Sequence, residues 1–192
     1  MRVGGVLLGG GRSRRFGANK LEARLDGERL LDRACRHFLE AGLDPVVFVG
    51  AARPADARVL QAEPGAEMID TLRAGLALLP DVPFAFAPAD LPFLTPALIA
   101  ELKEAFLASG RAFLVPSYGR RRGHPAFARE KRAFLKCTTA RDVWREAGDE
   151  LVHHAVETAD VLFDVDTPED LAAASDPERR LRRLVDRGDL VG

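Results

Sequence analysis

The chain has 192 residues, 47% of them hydrophobic and 30% charged, and its formal net charge is −1. This balance argues against a general binder of nucleic acid or of a membrane surface, because such proteins normally carry a basic excess. No apolar run approaches the roughly 18–20 residues of a membrane span. The two cysteines, Cys35 and Cys137, offer neither a metal-ligand spacing nor a disulfide framework. We therefore expect a cytoplasmic globular protein with one domain over residues 1–192, ending in a charged tail at 176–192.

Short apolar runs alternate along the chain with segments of helical periodicity. The runs predicted as strands cover residues 3–8, 45–50, 82–90, 112–118, 150–157 and 161–166. The predicted helices cover residues 28–43, 69–79, 95–110, 140–148 and 167–174, and the tail 176–192 is predicted as an exposed charged helix. Gly42 and Gly110 are expected to end two helices, while Thr95 and Thr167 are expected as N-caps, Thr167 with Asp170 as its capping-box partner.

This alternation predicts a three-layer, Rossmann-like α/β fold, with helices on both faces of a mostly parallel sheet. In such sheets, ligands bind beyond the carboxyl ends of the strands. Two polar features follow directly on predicted strands, namely the glycine-rich segment after Leu8 and the carboxylate Asp90. The functional site is therefore expected where these two strands end.

The stretch VLLGGGRSRRFGANK, residues 6–20, runs from a strand into three glycines and three arginines. Successive glycines let the backbone approach a ligand and turn N–H groups toward it, which makes a site for an anion. Arg12, Arg14, Arg15 and Lys20 add positive charge, so a ligand with several negative charges is favoured. The stretch contains neither Gly-Lys-Ser/Thr nor G-x-G-x-x-G, which argues against a P-loop NTPase and a dinucleotide-binding domain. A surface turn with solvated arginines is the alternative.

The same stretch resembles the signature L-x-G-G-x-S-x-R-x-G-x-x-K of the MobA-like nucleotidyltransferases, with Gly9 where alanine is usual and Phe16 where methionine is usual. The resemblance extends from Val3 to about Ala174 and implies the nucleotidyltransferase form of the fold. The nucleotide-binding residues that it implies are Leu8, Gly9, Gly10, Gly11, Ser13, Arg15, Gly17, Lys20 and Thr71. The resemblance implies that Arg15 holds the nucleotide phosphates and that Lys20 neutralises charge at the phosphorus centre. It implies Arg15, Lys20 and Asp90 as the catalytic residues.

Two acidic elements are candidates for a metal site. Nucleotidyl transfer needs Mg²⁺, because charge builds up on the α-phosphate and on the leaving pyrophosphate, and Mg²⁺ prefers carboxylate and phosphate oxygens. Asp90 precedes Leu91-Pro92 where the family carries Asp-x-Pro as a metal ligand, with a turn-capping Asp as the alternative. The element FDVDTPEDL resembles the family's D-x-D-T-P-E-D-L, and strand alternation points Asp164 and Asp166 to the same side. The sequence leaves open which of the two reaches the metal.

A second basic stretch, PSYGRRRGHPAF at 116–127, contains the tripeptide Gly-His-Pro. In the family this tripeptide faces the acceptor and is typical of members that act on molybdopterin. The resemblance therefore assigns Gly123, His124 and Pro125 to the acceptor, with the arginines at 120–122 as weaker candidates. A basic surface turn is the alternative for this stretch, taken alone.

Two branches of the family attach a nucleotide to molybdopterin, one from GTP and the other from CTP. Leu21 after Lys20, Thr71 in DTLRAGL, and Gly-His-Pro favour the CTP branch, whereas Gly10 follows the GTP branch. We predict an Mg²⁺-dependent transfer of NMP from an NTP, CTP favoured over GTP, to the phosphate of molybdopterin. Alternatives are GTP, another small phosphate acceptor, and a nucleotide-binding accessory or regulatory protein without catalysis. The resemblance also implies transient contacts with molybdoenzymes or with proteins that insert the cofactor.

Overall fold

A computed structural model describes residues 1–10, 16 and 19–188 of the chain. The strands within them are Gly4–Leu8 (β1), Arg24–Leu25 (β2), Glu28–Arg29 (β3), Val46–Val49 (β4), Val59–Ala62 (β5), Phe84–Pro88 (β6), Phe113–Tyr118 (β7), Arg121–Arg122 (β8), Ala126–Ala128 (β9) and Leu151–Ala155 (β10). The α-helices are Leu30–Glu40 (α1), Met68–Leu78 (α2), Pro96–Ser109 (α3), Arg132–Leu135 (α4), Ala140–Glu146 (α5), Pro168–Ala174 (α6) and Pro177–Asp186 (α7). Gly11, Ser13, Arg15 and Gly17, which the sequence assigns to the nucleotide, lie outside the described residues.

One large sheet runs in the order β10-β7-β9-β6-β1-β4-β5, with β8 paired to β7. Strands β1, β4, β5 and β6 are parallel, and β7 and β10 are parallel to each other. Strand β9 lies antiparallel between β6 and β7. The prediction of an α/β fold around a mostly parallel sheet is therefore confirmed.

Helices cover both faces of this sheet. Successive side chains of β1 point to opposite faces. Leu7 lies in a core with Phe38 of α1 and Phe106 of α3, while Leu8 lies in a separate core with Leu72 of α2. A strand buried on both faces reads as an unbroken apolar run, which explains why β1 shows no polar alternation in the sequence.

The predicted helix boundaries are confirmed where a cap residue marked them. Thr95 caps α3 with its side chain, and Gly110 ends that helix in the left-handed region at φ 68°. Gly42, at φ 72°, follows α1 in the same conformation. Thr167 and Asp170 form the predicted capping box at the start of α6.

The prediction of a strand over residues 161–166 is wrong. The segment follows on a short 3₁₀ turn, Ala159–Val161, and continues as irregular chain. Phe163 and Val165 are fully buried, but in a third core formed with residues of α1, α6 and α7. The backbone N–H of Val165 donates to the carbonyl of Asp90 at 2.9 Å. The apolar alternation in this segment therefore reflects packing against helices rather than pairing in the sheet.

Pro177–Asp186 of the charged tail form helix α7, as predicted, but this helix is not wholly exposed, and residues 189–192 lie outside the described residues. Leu184 of α7 is 1% exposed and belongs to the third core. Arg183, the residue before Leu184, donates to the buried carboxylate of Asp170 at 2.7 Å. Helix α7 is therefore attached to α6 through both an apolar contact and an ion pair.

Candidate functional site

The carboxyl ends of β1 and β6 lie side by side. Leu8 at the end of β1 is in register with Pro88 at the end of β6, and the N–H of Ala89 donates to the carbonyl of Leu8 at 2.9 Å. The chain leaves β1 toward the glycine-rich stretch and leaves β6 toward Asp90. The topology therefore places the two sequence features at the same edge of the sheet, as predicted for a parallel fold.

Lys20 lies between two carboxylates at this edge. Its Nζ donates to Oδ1 of Asp166 at 2.7 Å and forms an ion pair with Oδ2 of Asp90. The side chains of Lys20 and Asp90 are only 14% and 11% exposed. The fold thus joins the end of the β1 loop, the end of β6 and the segment before α6 in one largely buried charge cluster.

Burial and charge attraction act against each other in this cluster. Burial disfavours the ammonium of Lys20, but attraction to Asp90 and hydrogen bonds to both carboxylates outweigh it, so the pKa of Lys20 lies above 10.5. Burial raises the pKa of Asp90 above its ordinary 3.8, and Lys20 opposes that rise. Oδ1 of Asp90 is buried and has no hydrogen-bond partner among the described residues. Because a buried carboxylate oxygen without a partner costs free energy, the site favours a further cation or hydrogen-bond donor.

Asp164 and Asp166 have different partners, although one residue separates them. Asp166 contacts Lys20, whereas Oδ1 of Asp164 accepts a hydrogen bond from Nη2 of Arg187 at 2.5 Å. Burial raises the pKa of Asp164, and the Arg187 guanidinium opposes that rise. Within the described part of the chain, no group of three or more His, Cys, Asp or Glu side chains is arranged to hold a metal ion.

Gly9 and Gly10 have no room for a side chain. A Cβ on Gly9 would lie 2.6 Å from the ring of Phe48, and one on Gly10 would lie 2.7 Å from Oγ1 of Thr71. Thr71 is buried on α2 and donates through Oγ1 to the carbonyl of Glu67 at 3.1 Å. Thr71 and Gly10, both predicted to bind the nucleotide, are thus brought together by the fold.

The Gly-His-Pro tripeptide packs against the short 3₁₀ turn at Ala159–Val161. A Cβ on Gly123 would lie 2.6 Å from the carbonyl of Val161, and the N–H of His124 donates to that carbonyl at 2.9 Å. Pro125 is buried and follows His124 across a cis peptide bond. Burial lowers the pKa of His124 to about 4, although a hydrogen bond with the backbone of Phe86 partly opposes this shift. The imidazole is therefore uncharged at neutral pH.

A pocket of about 1350 Å³ opens beside the end of β1, and Leu8, Phe86 and His124 contribute to its wall. Arginines are the main charged residues of its described lining, and they are Arg120, Arg121, Arg122, Arg141 and Arg145. The first three come from the predicted basic stretch, but the two on α5 were not predicted. Their spacing of four residues, which places both on one face of a helix, was the available signal.

Trp144 on α5 has two roles. Its ring stacks on Phe86 with centroids 6.1 Å apart and planes 11° apart. It also lines the pocket. The pocket therefore combines an aromatic wall with a basic rim.

Replacement of His124 by asparagine is expected to flatten the acid limb of the stability–pH curve. In the folded state His124 takes up a proton only near pH 4, whereas an unfolded histidine does so near about 6.5. Between these values the unfolded state binds more protons, so the free energy of unfolding falls as the pH falls, by at most about 3 kcal/mol.

Thermal unfolding between about pH 7.5 and 4 measures this slope. The exposed His153, replaced by asparagine, controls for the loss of a histidine and is expected to keep the wild-type slope. Equal slopes in the two variants would contradict the prediction.

The structure has a lysine held between carboxylates at the strand ends of a three-layer α/β sheet, and a basic pocket that opens at the end of β1. Together these two features favour a nucleotidyltransferase. The chain belongs to the MobA-like NTP transferase family, whose domain it matches over residues 5–157.

Two relatives match nearly the full chain. It is 30% identical to a probable molybdenum cofactor guanylyltransferase of Chloroflexus aggregans, over 89% of this chain and 92% of that protein. It is also 30% identical to a molybdenum cofactor guanylyltransferase of Rhizobium johnstonii, over 95% of this chain and 94% of that protein. Rv0371c from Mycobacterium tuberculosis has the same fold, with a TM-score of 0.73 and 23% identity over 97% of this chain and 99% of that one.

Among the described residues, no helix combines the length and the apolar character needed to cross a membrane.

Proposed function

We propose that the protein is a molybdenum cofactor guanylyltransferase, which joins GMP from GTP to the terminal phosphate of molybdopterin and releases pyrophosphate. The observation that carries the proposal is the position of Lys20 between Asp90 and Asp166, in a chain whose near-full-length relatives bear that name. An oxygen of the molybdopterin phosphate attacks the α-phosphorus, and a new P–O bond forms. The bond from the α-phosphorus to the bridging oxygen breaks, and its electron pair leaves with pyrophosphate.

The choice of GTP rests on the relatives and on Gly10. The CTP preference that the downstream motifs favoured has no support from the two relatives, both named as guanylyltransferases. Gly10 agrees with them, because a methyl group at this position would crowd a purine. Thr71 leaves no space for that methyl group, since a Cβ on Gly10 would approach its Oγ1 to 2.7 Å.

Asp90 and Asp166 fit a Mg²⁺ ion, because Mg²⁺ commonly takes one or two carboxylates together with phosphate oxygens. The unpartnered Oδ1 of Asp90 is an oxygen of the required type. When bound, Mg²⁺ supplies neutralisation of the charge on the α-phosphate and on pyrophosphate. Lys20 stays protonated, since its pKa is raised, and would add its charge to the same phosphates.

The basic pocket is proposed to hold the acceptor. Its arginines suit a phosphate ester, to which guanidinium groups can donate paired hydrogen bonds. Trp144 and Phe86 offer an apolar wall for a planar ring system. His124 contributes shape rather than charge, because its imidazole is neutral above about pH 4.

Pyrophosphate release with Mg²⁺ and molybdopterin, measured in parallel with GTP, CTP, ATP and UTP, tests the proposal. We expect release with GTP, and with CTP at most at about one hundredth of that rate, because a base site that hydrogen-bonds guanine leaves its polar groups unpaired with cytosine. Release with CTP alone would overturn the choice of base. Silence with all four nucleotides would favour another phosphate acceptor or a non-catalytic nucleotide-binding protein.

A further inference from the structure

The acidic segment before α6, and the helix α7 that contacts it, both lie beyond the matched family domain. That domain ends at residue 157, whereas Asp164, Asp166 and the helix that contacts them lie beyond it. Arg187 follows directly on α7, and its side chain is 25% exposed. Its position at the end of a helix anchored in the third core makes it a fixed cation beside the acidic segment.

Arg187 binds Asp164 through two different groups. Nη2 donates to Oδ1 of Asp164 at 2.5 Å, and Nη1 donates to the backbone carbonyl of the same residue at 3.2 Å. The nearest oxygen of Asp166 is farther away, at 4.0 Å. The guanidinium thus contacts both the carboxylate and the backbone of Asp164. Of the two aspartates, Asp166 is the one that contacts Lys20.

A second contact from α7 orients the backbone of Asp166. Arg183 pairs with Asp170, whose side chain is 1% exposed. Asp170 in turn accepts hydrogen bonds from the N–H of Asp166 at 3.1 Å and from the N–H of Thr167 at 2.9 Å. Helix α7 therefore acts on both sides of Asp166, through Asp164 and through Asp170.

Charge balance explains why this matters at the site. Asp90, Asp164 and Asp166 influence one another electrostatically, and the charges of Asp164 and Asp166 both raise the pKa of Asp90. Without Arg187, three carboxylates would share Lys20 as their cation among the described residues that contact them. Like charges at short range disfavour one another's ionised form, so Arg187 offsets part of the repulsion within this group of carboxylates.

We propose that Arg187 is a positioning residue, which commits Asp164 to helix α7 and leaves Asp166 as the second carboxylate of the catalytic site. The inference rests on the proposed function for the role of Asp166. The different roles assigned to Asp164 and Asp166 are inferred from their different contacts. It assigns helix α7 a part in catalysis, although no residue of this helix lines the described pocket.

The first test compares two single variants that leave α7 intact. Asp166→Asn is expected to reduce kcat for pyrophosphate release by about a hundredfold or more, since it removes a proposed metal ligand. Asp164→Asn is expected to cost about tenfold or less, because it removes a supporting group. Equal losses, or a larger loss in Asp164→Asn, would overturn the proposal.

The second test uses rescue. Arg187→Ala is expected to lower kcat about tenfold to a hundredfold, with the KM for GTP changed by less than about twofold. Asp164→Asn added to Arg187→Ala is expected to restore most of the loss, because the uncompensated carboxylate is gone. A purely structural role of Arg187 would give no rescue. Arg182→Ala, on the exposed side of the same helix, is the matched control and is expected to keep wild-type activity.

Isothermal titration calorimetry of the protein with Mg²⁺ and GTP distinguishes this inference from the proposed function, because binding needs no turnover. If the wild type binds Mg²⁺ with GTP but releases no pyrophosphate, the proposed reaction fails. Weaker binding in Arg187→Ala, restored in the double variant, would then still support the positioning role, and unchanged binding would overturn it. If the wild type binds neither Mg²⁺ nor GTP, the proposed function and the positioning role of Arg187 are both overturned.

Discussion

Asp90→Asn is expected to reduce pyrophosphate release by about a thousandfold, a loss of about 4 kcal/mol of transition-state stabilisation, while the protein remains folded. The reason is that Asp90 combines burial, contact with Lys20 and an unpartnered oxygen at the ends of the strands. Asparagine keeps the shape of the side chain but removes its charge. Initial rates with Mg²⁺, GTP and molybdopterin measure the loss.

The fold is expected to survive this replacement, because burial already disfavours the charged form of Asp90 and Lys20 keeps its contact with Asp166. Thermal unfolding of Asp90→Asn should therefore stay within a few degrees of the wild type. Asp44→Asn, at an exposed carboxylate that pairs with Arg2, is the control and is expected to keep full activity. Normal turnover in Asp90→Asn would refute the metal assignment.

Lys20→Met is expected to reduce kcat by about a hundredfold to a thousandfold, as for the loss of one group that stabilises developing negative charge. It is also expected to destabilise the fold by about 3 kcal/mol at neutral pH, because Asp90 and Asp166 then face each other without their cation. Chemical denaturation at neutral pH measures the second effect. Methionine is unbranched and close to lysine in length, so the main change is the loss of the ammonium group.

A second prediction for Lys20→Met concerns cation binding and can be tested without turnover. In the wild type Lys20 occupies the space between the two carboxylates, so a divalent cation competes with the ammonium. Lys20→Met is therefore expected to bind Mn²⁺, used as a probe for Mg²⁺, more tightly than the wild type in the absence of nucleotide. The double variant with Lys20→Met and Asp90→Asn is expected to regain the stability lost in Lys20→Met and to lose the binding of Mn²⁺. Equal Mn²⁺ affinity in wild type and Lys20→Met would contradict the assignment of this pair.

The sequence predicted those parts of the fold that depend on neighbouring residues. The parallel strands β1, β4 and β6 are unbroken apolar runs, and the caps at Thr95 and Thr167 depend on side-chain contacts within one turn. Strand β9 was not predicted, because three residues carry too little periodicity, yet it lies between β6 and β7. The false strand at 161–166 shows the opposite error, since the same alternation can serve packing against helices.

The candidate site was predicted in part. The predicted parallel sheet placed the end of β1 and Asp90 at one edge, and there Lys20, at the end of the glycine-rich stretch, forms an ion pair with Asp90. Their roles in catalysis stay predictions, as do those of Gly11, Ser13, Arg15 and Gly17, which lie outside the described residues. Arg141 and Arg145 of the pocket were not predicted, because their spacing of four residues places both on one face of a helix but does not show what that face borders.

By itself, the sequence determined the main parallel strands and their alternation with helices, the helix caps, the class of fold and the family. These follow from hydrophobic periodicity, turn chemistry and a signature motif, all of which act between residues close in the chain. Only the tertiary structure decided that Asp166 contacts Lys20 while Asp164 contacts Arg187. Lys20 and Asp166 are 146 residues apart. Their contact depends on the order of strands in the sheet and on the anchoring of α7, which no local pattern encodes.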